Sequence, residues 1–413
     1  MSNLIGNAIV GQSGGPTSAI NASLAGVIRG ARDAACVEHI YGMRNGIEGL
    51  LEERIISLDE LAADDSELQL LEQTPASALG TCRRKLPEVL DDILTGSGLY
   101  KKVFAILKKY NIRYFFYIGG NDSMDTVAKL AEYAEQFGHD VRFVGVPKTI
   151  DNDLIGTDHT PGFGSAAKFV AITAREIVRD CAVYTTKAVT VVEIMGRDAG
   201  WLTAASALGR LVDGVAPDCV YLPERPFYAE HLFENIKRAF ETHGGVVIAV
   251  SEGIKFRSGR YVGEGDQNGY ADEFGHRYLA GAGKVVEGMV RQRFGCKVRS
   301  IELNLPQRCA GHLISLTDAR EASAIGYAAV GAAIEGNTGV MMTFERAQGD
   351  EYICNVGMKR VSEIANAVRC VPDEFINASG DNVTDECLKY LHPLVIGEYP
   401  VRYEKGLPIH KIL

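Results

Sequence analysis

The sequence predicts an α/β protein with mostly parallel sheets, and two observations carry that prediction. Short apolar strands alternate with amphipathic helical segments along most of the 413 residues. Glycines follow several of these strands. The 45 glycines among 413 residues are about 11% of the chain, above the usual share of about 7%. Strands separated by helices of about 10–20 residues lie parallel in a sheet with helices on both faces. A chain of this length is also sufficient for two or three domains.

The first half of the chain is predicted to contain three strands and two helices. The strands are residues 4–10, 114–118 and 141–146, and the helices are residues 18–32 and 124–137. Thr17 or Ser18 would cap the first helix, because a hydroxyl oxygen accepts a hydrogen bond from the free N–H groups at a helix start. Pro147 ends the third strand.

The same alternation continues in the second half. Strands are predicted at residues 188–194 and 246–250, and helices at residues 199–208 and 232–242. The glycine-rich segment 280–285 is more typical of a helix than of a Walker A loop, which would need Gly at position 278 and Ser or Thr at 285. Residues 258–269 are predicted to form an exposed insertion, and the region after about residue 349 an appendage to the core.

The composition excludes several classes of protein. Acidic residues number 53 and basic residues 43, and the formal charge of −10 argues against nucleic acid or an anionic membrane as the main partner. A membrane-spanning helix needs about 20 apolar residues, and no apolar stretch of the sequence is that long. The first basic residue is Arg29, so we do not expect a secretory signal, and we expect the protein to be cytoplasmic. The nine cysteines include no C-x-x-C pair, which favours reduced thiols over a zinc site.

The motif GQSGG at residues 11–15 follows the first predicted strand and has two interpretations. It matches the G-x-S-x-G elbow that presents a nucleophilic serine in hydrolases. It is also a glycine turn whose N–H groups could hold phosphate before a helix. The elbow requires a sheet already formed ahead of the serine, whereas only one strand precedes Ser13. We therefore favour phosphate binding at Gly14 and Gly15, with a plain strand-to-helix turn as the remaining alternative.

Two further motifs follow strands in the same way. GGNDS at residues 119–123 could reach a metal–phosphate complex through Asn121 and Asp122, although, taken alone, helix capping explains it better. PKTIDND at residues 147–153 places Asp151 and Asp153 close to Lys148. One carboxylate could accept a hydroxyl proton while the lysine neutralises phosphate, and a solvated acidic loop is an equal alternative.

Strand ends in the second half add more charged residues. MGR at residues 195–197 and SEG at residues 251–253 each follow a strand, and Arg299, Gln307 and Arg308 flank another. In open α/β sheets such residues meet at one edge, where ligands bind. The collection of Lys, Arg, Asp and Glu at that edge of an acidic protein predicts a site for an anionic substrate.

Taken together, these motifs make the chain similar to the 6-phosphofructokinase family over roughly residues 4–345. The order and spacing of SGG, GGNDS, PKTIDND, MGR, SEG and QR match that family, and TIDND with MGR is a specific combination. The resemblance implies two Rossmann-like domains with the active site between them, close to a neighbouring subunit of a homodimer or homotetramer. It implies Mg²⁺-dependent phosphorylation of the 1-hydroxyl of fructose 6-phosphate, a step of glycolysis.

The resemblance also implies domains and residue roles. Residues 1–160 with about 306–348 would bind the phosphoryl donor, residues 161–305 would bind fructose 6-phosphate, and residues 349–413 would form a C-terminal extension. Asp151 would be the general base on the sugar hydroxyl, and Arg197 would also steady the transferring phosphoryl group. The other residues expected at the sugar phosphate are Thr149, Asp153, Lys187, Met195, Gly196, Glu252, Arg299 and Arg308. Of these, Arg299 and Lys187 would reach across the subunit interface.

Two positions decide the donor that the resemblance implies. Members that use ATP carry glycine where this chain has Asp122 and Lys148, whereas members that use pyrophosphate carry Asp and Lys there. A carboxylate at position 122 would fill and charge the space that the α-phosphate of ATP needs. An ammonium group at position 148 can bind pyrophosphate and offset charge on the transition state. The residues expected at pyrophosphate are Gly14, Gly15, Arg83, Asp122 and Lys148, and those expected at the metal are Asn121 and Asp122.

Three alternatives stay open. An ATP-dependent 6-phosphofructokinase would tolerate glycine at positions 122 and 148. A regulatory subunit that binds sugar phosphate without catalysis is suggested by Asn121, which stands where most relatives have the Asp that organises Mg²⁺. A serine hydrolase would be labelled at Ser13 by a fluorophosphonate.

Overall fold

The computed structural model describes residues 4–264, 281–349, 351–364 and 368–413. Within these ranges strands and helices alternate, and the predicted α/β class with mostly parallel sheets is confirmed. The strands are β1 (Gly6–Gln12), β2 (Val37–Met43), β3 (Ile55–Ser57), β4 (Ile112–Gly119), β5 (Arg142–Pro147), β6 (Ala188–Ile194), β7 (Cys219–Tyr221), β8 (Pro226–Phe227), β9 (Gly245–Ser251), β10 (Lys255–Phe256), β11 (Lys297–Glu302), β12 (Val340–Arg346), β13 (Cys354–Arg360), β14 (Tyr403–Glu404) and β15 (Leu407–Pro408). The helices are α1 (Ile20–Asp33), α2 (Gly46–Leu51), α3 (Asp59–Ala62), α4 (Asp65–Gln73), α5 (Val89–Thr95), α6 (Leu99–Lys109), α7 (Asn121–Phe137), α8 (Phe163–Ala182), α9 (Trp201–Ala205), α10 (Ala229–Ala239), α11 (Ala282–Phe294), α12 (Pro306–Cys309), α13 (Leu316–Ile334) and α14 (Asp385–Leu391).

The larger sheet contains, within the described ranges, seven strands in the order β13-β12-β5-β4-β1-β2-β3. Its inner strands run parallel, and the edge strands β13 and β3 run antiparallel to their neighbours. Gly119 at the end of β4 lies opposite Pro147 at the end of β5. The loops after β1, β4 and β5 therefore leave the sheet at the same edge, and these loops carry the first three motifs.

The smaller sheet, in the part of the chain that is described, has four parallel strands in the order β11-β6-β9-β7. Ile194 ends β6 directly opposite Ser251, which ends β9. Residues 195–197 and Glu252 follow these two ends immediately, so the sheet register places them side by side.

Helices α1 and α13 pack together against one face of the larger sheet, where Val10 and Val144 are buried among their apolar side chains. A Cβ placed on Gly26 would lie 2.0 Å from the carbonyl oxygen of Ser323. One placed on Gly326 would lie 2.2 Å from the carbonyl oxygen of Ser23. Both distances are far below contact, so this crossing requires glycine on both helices.

The start of α1 differs from the prediction. The helix begins at Ile20, its N-cap residue is Ala19, and no side chain among the described residues caps it. Thr17 instead accepts a hydrogen bond at 3.3 Å from the N–H of Ala19, ahead of the helix. The predicted cap is wrong because the chain between the glycine turn and Ile20 is not helical.

The start of α7 also differs. Ser123 and Met124 donate their N–H groups to the carbonyl oxygen of Gly120 at 3.0 Å, so the helix starts at Asn121, immediately after the strand. The N-cap residue is Gly120, which has no side chain, and no side chain in the described part of the protein caps this helix. Capping is therefore the wrong explanation of the GGNDS motif, and Asn121 and Asp122 lie in the first helical turn.

The C-terminal region is integrated with both sheets rather than appended to them. β13 pairs with β12 along its whole length in the larger sheet. Val371, Leu388 and Leu391 are buried in the hydrophobic cluster around Trp201, beside the smaller sheet. The domain boundaries given above stay a prediction, because a sheet assignment does not fix where one folding unit ends.

Two predictions concern residues that the structure covers only in part. Residues 265–269 of the predicted insertion lie outside the described residues, as does residue 280 of the predicted helix. From Ala282 onward the glycine-rich segment is the helix α11, as predicted, rather than a phosphate-binding loop. None of the helices in the described ranges has both the length and the apolar composition needed to cross a membrane.

Candidate active site

Two adjoining cavities lie where the loops of the two sheets face each other. The first encloses about 280 Å³ and the second about 370 Å³. Both are lined by Gly15, Arg83, Lys148, Thr149, Asp153 and Asp198. The first is also lined by Pro16, Ile150, Asp151, Met195, Arg197, Ala199, Glu252 and Arg308. The second is also lined by Ser13, Gly14, Lys85, Gly120, Asn121, Asp122, Ser123 and Val368.

Lys148 connects the loops that follow β1 and β5. Its side chain is buried, and its Nζ donates to the carbonyl oxygen of Gly15 at 2.6 Å. The same Nζ lies only 3.2 Å from the position of a Cβ on Gly14, whose φ of 79° also favours glycine. Burial lowers the pKa of Lys148 to about 8, although Asp151 and Asp153 act in the opposite direction. The ammonium group can therefore gain or lose its proton near neutral pH.

Asp151 and Asp153 lie in a tight turn after β5 and line the first cavity together with Lys148. The residue between them, Asn152, is buried and has a left-handed φ of 55°. Asp151 donates its backbone N–H to the hydroxyl of Thr149 at 3.1 Å. Surrounding protein atoms raise the pKa of the Asp151 carboxyl to about 8, and the neighbouring carboxylates add to this effect. A carboxyl group with such a pKa is suited to accept and return a proton near neutral pH.

The loops after β6 and β9 form the opposite wall of the first cavity. Gly196 donates its N–H to Glu252 at 3.2 Å and accepts a hydrogen bond from the Ser251 hydroxyl. A Cβ on Gly196 would lie 2.5 Å from the carbonyl oxygen of Ala199, and its φ of 132° also favours glycine. Burial raises the pKa of Glu252. These contacts fix the backbone of the loop that carries Arg197.

Three arginine side chains line the first cavity. Arg308 is half-buried, and burial together with the nearby Arg83 lowers its pKa. The Nε of Arg197 is buried and has no hydrogen-bond partner among the described residues. With Lys148 these three arginines bring four cationic side chains into a cavity that is also lined by the carboxyl groups of Asp151, Asp153, Asp198 and Glu252. An anionic ligand would relieve the repulsion between the cationic side chains, so the cavity is suited to phosphate.

Asn121 and Asp122 lie at the wall of the second cavity, in the first turn of α7. Asp122 pairs with Lys85 at 2.9 Å. The side-chain oxygen of Asn121 is buried without a hydrogen-bond partner in the described part of the chain. Mg²⁺ prefers oxygen ligands and is held through one or two carboxylates plus the phosphates of a substrate. The carboxylate and the unpaired amide oxygen fit this preference, so the two residues are suited to a magnesium ion.

Two predicted residues lie away from both cavities. Arg299 is exposed in the middle of the edge strand β11. Lys187 precedes β6 at the opposite end of the smaller sheet, with its Nζ 5.1 Å from the ring centroid of Phe240. Within one subunit, therefore, the fold does not bring these two side chains to the residues that follow β6 and β9.

The structure adds residues that the sequence motifs did not indicate. Lys85 and Asp198 line the cavities, and both are close in sequence to predicted residues, Arg83 and Arg197 respectively. Ser13 donates its hydroxyl proton to the carbonyl oxygen of Cys82 at 3.2 Å. No histidine is found among the described residues that line its cavity. This arrangement does not support a serine nucleophile.

Comparisons with known proteins agree with this geometry. The chain matches the family model described as Phosphofructokinase over residues 7–333. It is 38% identical over 410 residues to the pyrophosphate–fructose 6-phosphate 1-phosphotransferase of Halomonas elongata, covering 97% of this chain and 94% of that protein. It is 38% identical over 406 residues to the protein of the same name from Xanthomonas campestris, covering 98% and 95%. The crystal structure of a pyrophosphate-dependent phosphofructokinase from Nitrosospira multiformis superposes with a TM-score of 0.87 at 36% identity, covering 98% of this chain and 95% of that one. The chain belongs to the phosphofructokinase family.

Proposed function

We propose that this protein transfers the terminal phosphoryl group of pyrophosphate to the 1-hydroxyl of fructose 6-phosphate. The products are fructose 1,6-bisphosphate and phosphate. The names of the relatives at 36–38% identity over nearly the whole chain support this reaction. The observation that carries the choice of donor is the buried ammonium of Lys148, which lies between the two cavities against Gly15.

The donor proposal rests on the charges around the second cavity. Asp122, paired with Lys85 at 2.9 Å, lies in its wall and takes up space beside any bound phosphate chain. Pyrophosphate can be held by Lys148, Arg83 and the glycine turn at Gly14 without reaching further. A nucleotide would have to bring its α-phosphate and nucleoside past that carboxylate, at an electrostatic cost.

The proposed reaction uses Asp151 as the proton acceptor. The 1-hydroxyl oxygen attacks the terminal phosphorus, its proton passes to the Asp151 carboxylate, and the bond to the departing phosphate breaks. Lys148 and Arg197 offset the negative charge that moves onto the leaving group. Because the pKa of Asp151 is about 8, the same carboxyl returns the proton readily when the reaction runs backwards.

The sugar phosphate would be held by the first cavity. We propose that its hydroxyl groups bind to Glu252, Thr149 and Asp153, and that its 6-phosphate binds to Arg308. Thr149, Asp153, Met195 and Arg197, which line this cavity, are proposed to contact the sugar phosphate within the subunit. Gly196, which donates to Glu252 in the same loop, is proposed to do so as well. Arg299 and Lys187 lie away from this cavity, so they are proposed to act in a neighbouring subunit of a homo-oligomer.

Asn121 and Asp122 are proposed to hold Mg²⁺, which when bound neutralises part of the charge of pyrophosphate. Residues 1–160 and about 306–348, which contribute every strand of the larger sheet except β13, are proposed as the donor domain, and residues 161–305 as the sugar domain. Since sugar phosphates and pyrophosphate are metabolites of the cell interior, the cytoplasm is the proposed location.

The test is the formation of fructose 1,6-bisphosphate from saturating fructose 6-phosphate and Mg²⁺, with pyrophosphate or ATP as donor. We expect turnover with pyrophosphate and at most about 1% of that rate with ATP. Asp151→Asn should lower kcat by about 10²–10⁴-fold, because it removes the proton acceptor while keeping the shape of the side chain. The reverse reaction, from fructose 1,6-bisphosphate and phosphate, should form pyrophosphate.

Two other results would replace the proposal. Turnover with ATP alone would make the protein an ATP-dependent phosphofructokinase. Binding of fructose 6-phosphate without turnover by either donor would make it a regulatory subunit.

A further inference from the structure

Residues 368–371 are distant in sequence from the motifs, yet they contact the loops of both sheets. We call these four residues the C-terminal clamp. Val368 forms an isolated β-bridge with Leu154 and lines the second cavity. Arg369, Cys370 and Val371 then make the contacts described next.

Arg369 holds the turn that carries the two carboxylates of the site. Its backbone N–H donates to the carbonyl oxygen of Asp153 at 2.8 Å, and its guanidinium donates to that of Asn152 at 3.5 Å. Asn152 has a left-handed backbone, which asparagine adopts more readily than most residues other than glycine. The two hydrogen bonds from Arg369 fix the carbonyl groups of Asn152 and Asp153, and thereby the turn that Asp151 begins.

The guanidinium of Arg369 is itself fixed by aromatic side chains. It lies 4.3 Å from the ring centroid of Trp201 and 5.6 Å from that of Tyr390. It donates to the Tyr390 hydroxyl at 3.1 Å, and that hydroxyl donates to the carbonyl oxygen of Asp158 at 2.6 Å. The ring N–H of Trp201 donates to the carbonyl oxygen of Arg369 at 3.0 Å. A planar guanidinium held in this way is a rigid support, which a lysine at the same place would reproduce only in part.

The clamp also holds the loop that follows β6. Glu224 accepts the N–H groups of both Val371 and Gly200 at 2.8 Å. The thiol of Cys370 donates to the carbonyl oxygen of Asp198 at 3.5 Å. One short segment therefore ties the turn after β5 to the loop after β6.

We propose that Arg369 is a positioning residue of the active site, and that the C-terminal clamp fixes Asp151 relative to the loop that carries Arg197. This inference rests on the proposed phosphoryl transfer, in which these two side chains act on the same substrate. Misplacement by about 1 Å costs about 10²-fold in rate. The clamp therefore acts on kcat, whereas residues that bind substrate and transition state equally act through KM.

The kinetic test compares Arg369→Ala, Arg369→Lys and Tyr390→Phe with a matched control, Arg360→Ala. Arg360 is an exposed arginine of β13 that lines neither cavity. We expect Arg369→Ala to lose about 30–100-fold in kcat with both KM values within about threefold of wild type. Arg369→Lys and Tyr390→Phe should lose less, and Arg360→Ala should lose nothing. A kcat for Arg369→Ala within threefold of wild type, or a loss confined to KM, would overturn the inference.

A second measurement separates this inference from the proposed function. Hydrogen exchange of backbone amides 151–154, without substrate, should be at least about tenfold faster in Arg369→Ala than in wild type. Emission of Trp201, the sole tryptophan of the chain, should change in the same variant and not in Arg360→Ala. If Arg369→Ala does not fold, the same two readouts on Arg369→Lys and Tyr390→Phe decide. If the wild-type protein shows no turnover, the proposed function is refuted, and the hydrogen-exchange comparison still tests the C-terminal clamp. If the wild-type protein is active and Arg369→Ala leaves the exchange rates unchanged, only the inference about the clamp is refuted.

Discussion

Lys148 and Asp151 share a cavity in which protein atoms replace water around both side chains. Burial disfavours the charged form of each group, so the pKa of the lysine falls to about 8 and that of the carboxyl rises to about 8. A proton can then pass between the site and its substrate at little cost near neutral pH. The pKa values of the two residues also depend on each other, because the charge of each side chain acts on the protonation of the other.

The pH dependence of kcat/KM follows from these two values. Asp151 must be ionised, so activity should rise with pH up to about 8, and Lys148 must be protonated, so activity should fall above about 8. The profile should therefore be a narrow bell with its maximum near pH 8. In Lys148→Arg the alkaline limb should move up by more than about one pH unit, since a guanidinium stays charged. A profile that is flat between about pH 6 and 9 would contradict this assignment.

The choice of donor should be reversible at two side chains. Asp122→Gly with Lys148→Gly should lower kcat/KM for pyrophosphate at least about 100-fold, because it removes a cation from the proposed donor site, and should raise the activity with ATP. Glu135→Gly is the control for the glycine at position 122, since Glu135 is exposed on the same helix α7 and glycine in a helix costs about 0.5–1 kcal/mol. An unaltered preference for pyrophosphate in the double variant would refute the donor assignment.

Some strands and helix starts could be predicted from the sequence and others could not: β1 lies two residues later than predicted, and β2, β3, β12 and β13 were not predicted. β6 has both ends where the sequence predicts them, because an apolar run between polar residues marks a buried parallel strand. α1 starts later than predicted, since the glycine turn and Thr17 direct the chain before Ile20. α7 starts earlier, since the carbonyl group of Gly120 accepts the first helical hydrogen bonds. Neither start is encoded in the local preference of one residue.

The crossing of α1 and α13 should tolerate no side chain at its closest point. Gly26→Ala should lower the free energy of unfolding by about 3 kcal/mol, because its Cβ would meet the backbone carbonyl group of Ser323 at 2.0 Å. Gly331→Ala, on the partner helix α13, has open space around the new methyl group among the described residues and should raise that free energy by about 0.5–1 kcal/mol. Urea unfolding of both variants measures the two effects. Equal stabilities of the two variants would show that the helices can move apart.

At the junction of the two sheets, cationic side chains and carboxyl groups line the same cavity, in a protein of net charge −10. Lys148 comes from the larger sheet and Arg197 from the smaller one, so an anion bound between them joins the two halves. The site residues that directly follow strand ends could be predicted from the sequence, because parallel strands bring those ends together at one edge of a sheet. Arg369 and Glu224 could not be predicted, because only the tertiary path of the C-terminal region brings them to the site.

Ligand binding should accordingly stabilise the fold as a whole. Fructose 6-phosphate at about 100 times its Kd should add about 2.7 kcal/mol to the free energy of unfolding, seen as a higher Tm. Arg308→Ala should lose most of that gain at the same concentration, and fructose without its phosphate should give none. A Tm that rises equally in wild type and Arg308→Ala would exclude Arg308 from the 6-phosphate site.

The order of strands in the larger sheet also has a consequence for synthesis in the cell. β5, which leads to Lys148, has β12 as its outer neighbour, and β12 is encoded far downstream. At about 5–20 residues per second, a ribosome needs roughly 10–40 s to make the intervening chain. During that interval the outer edge of β5 lacks its native partner, and an unpaired strand edge is a template for aggregation. The nascent protein therefore depends on protection of that edge until its last third emerges.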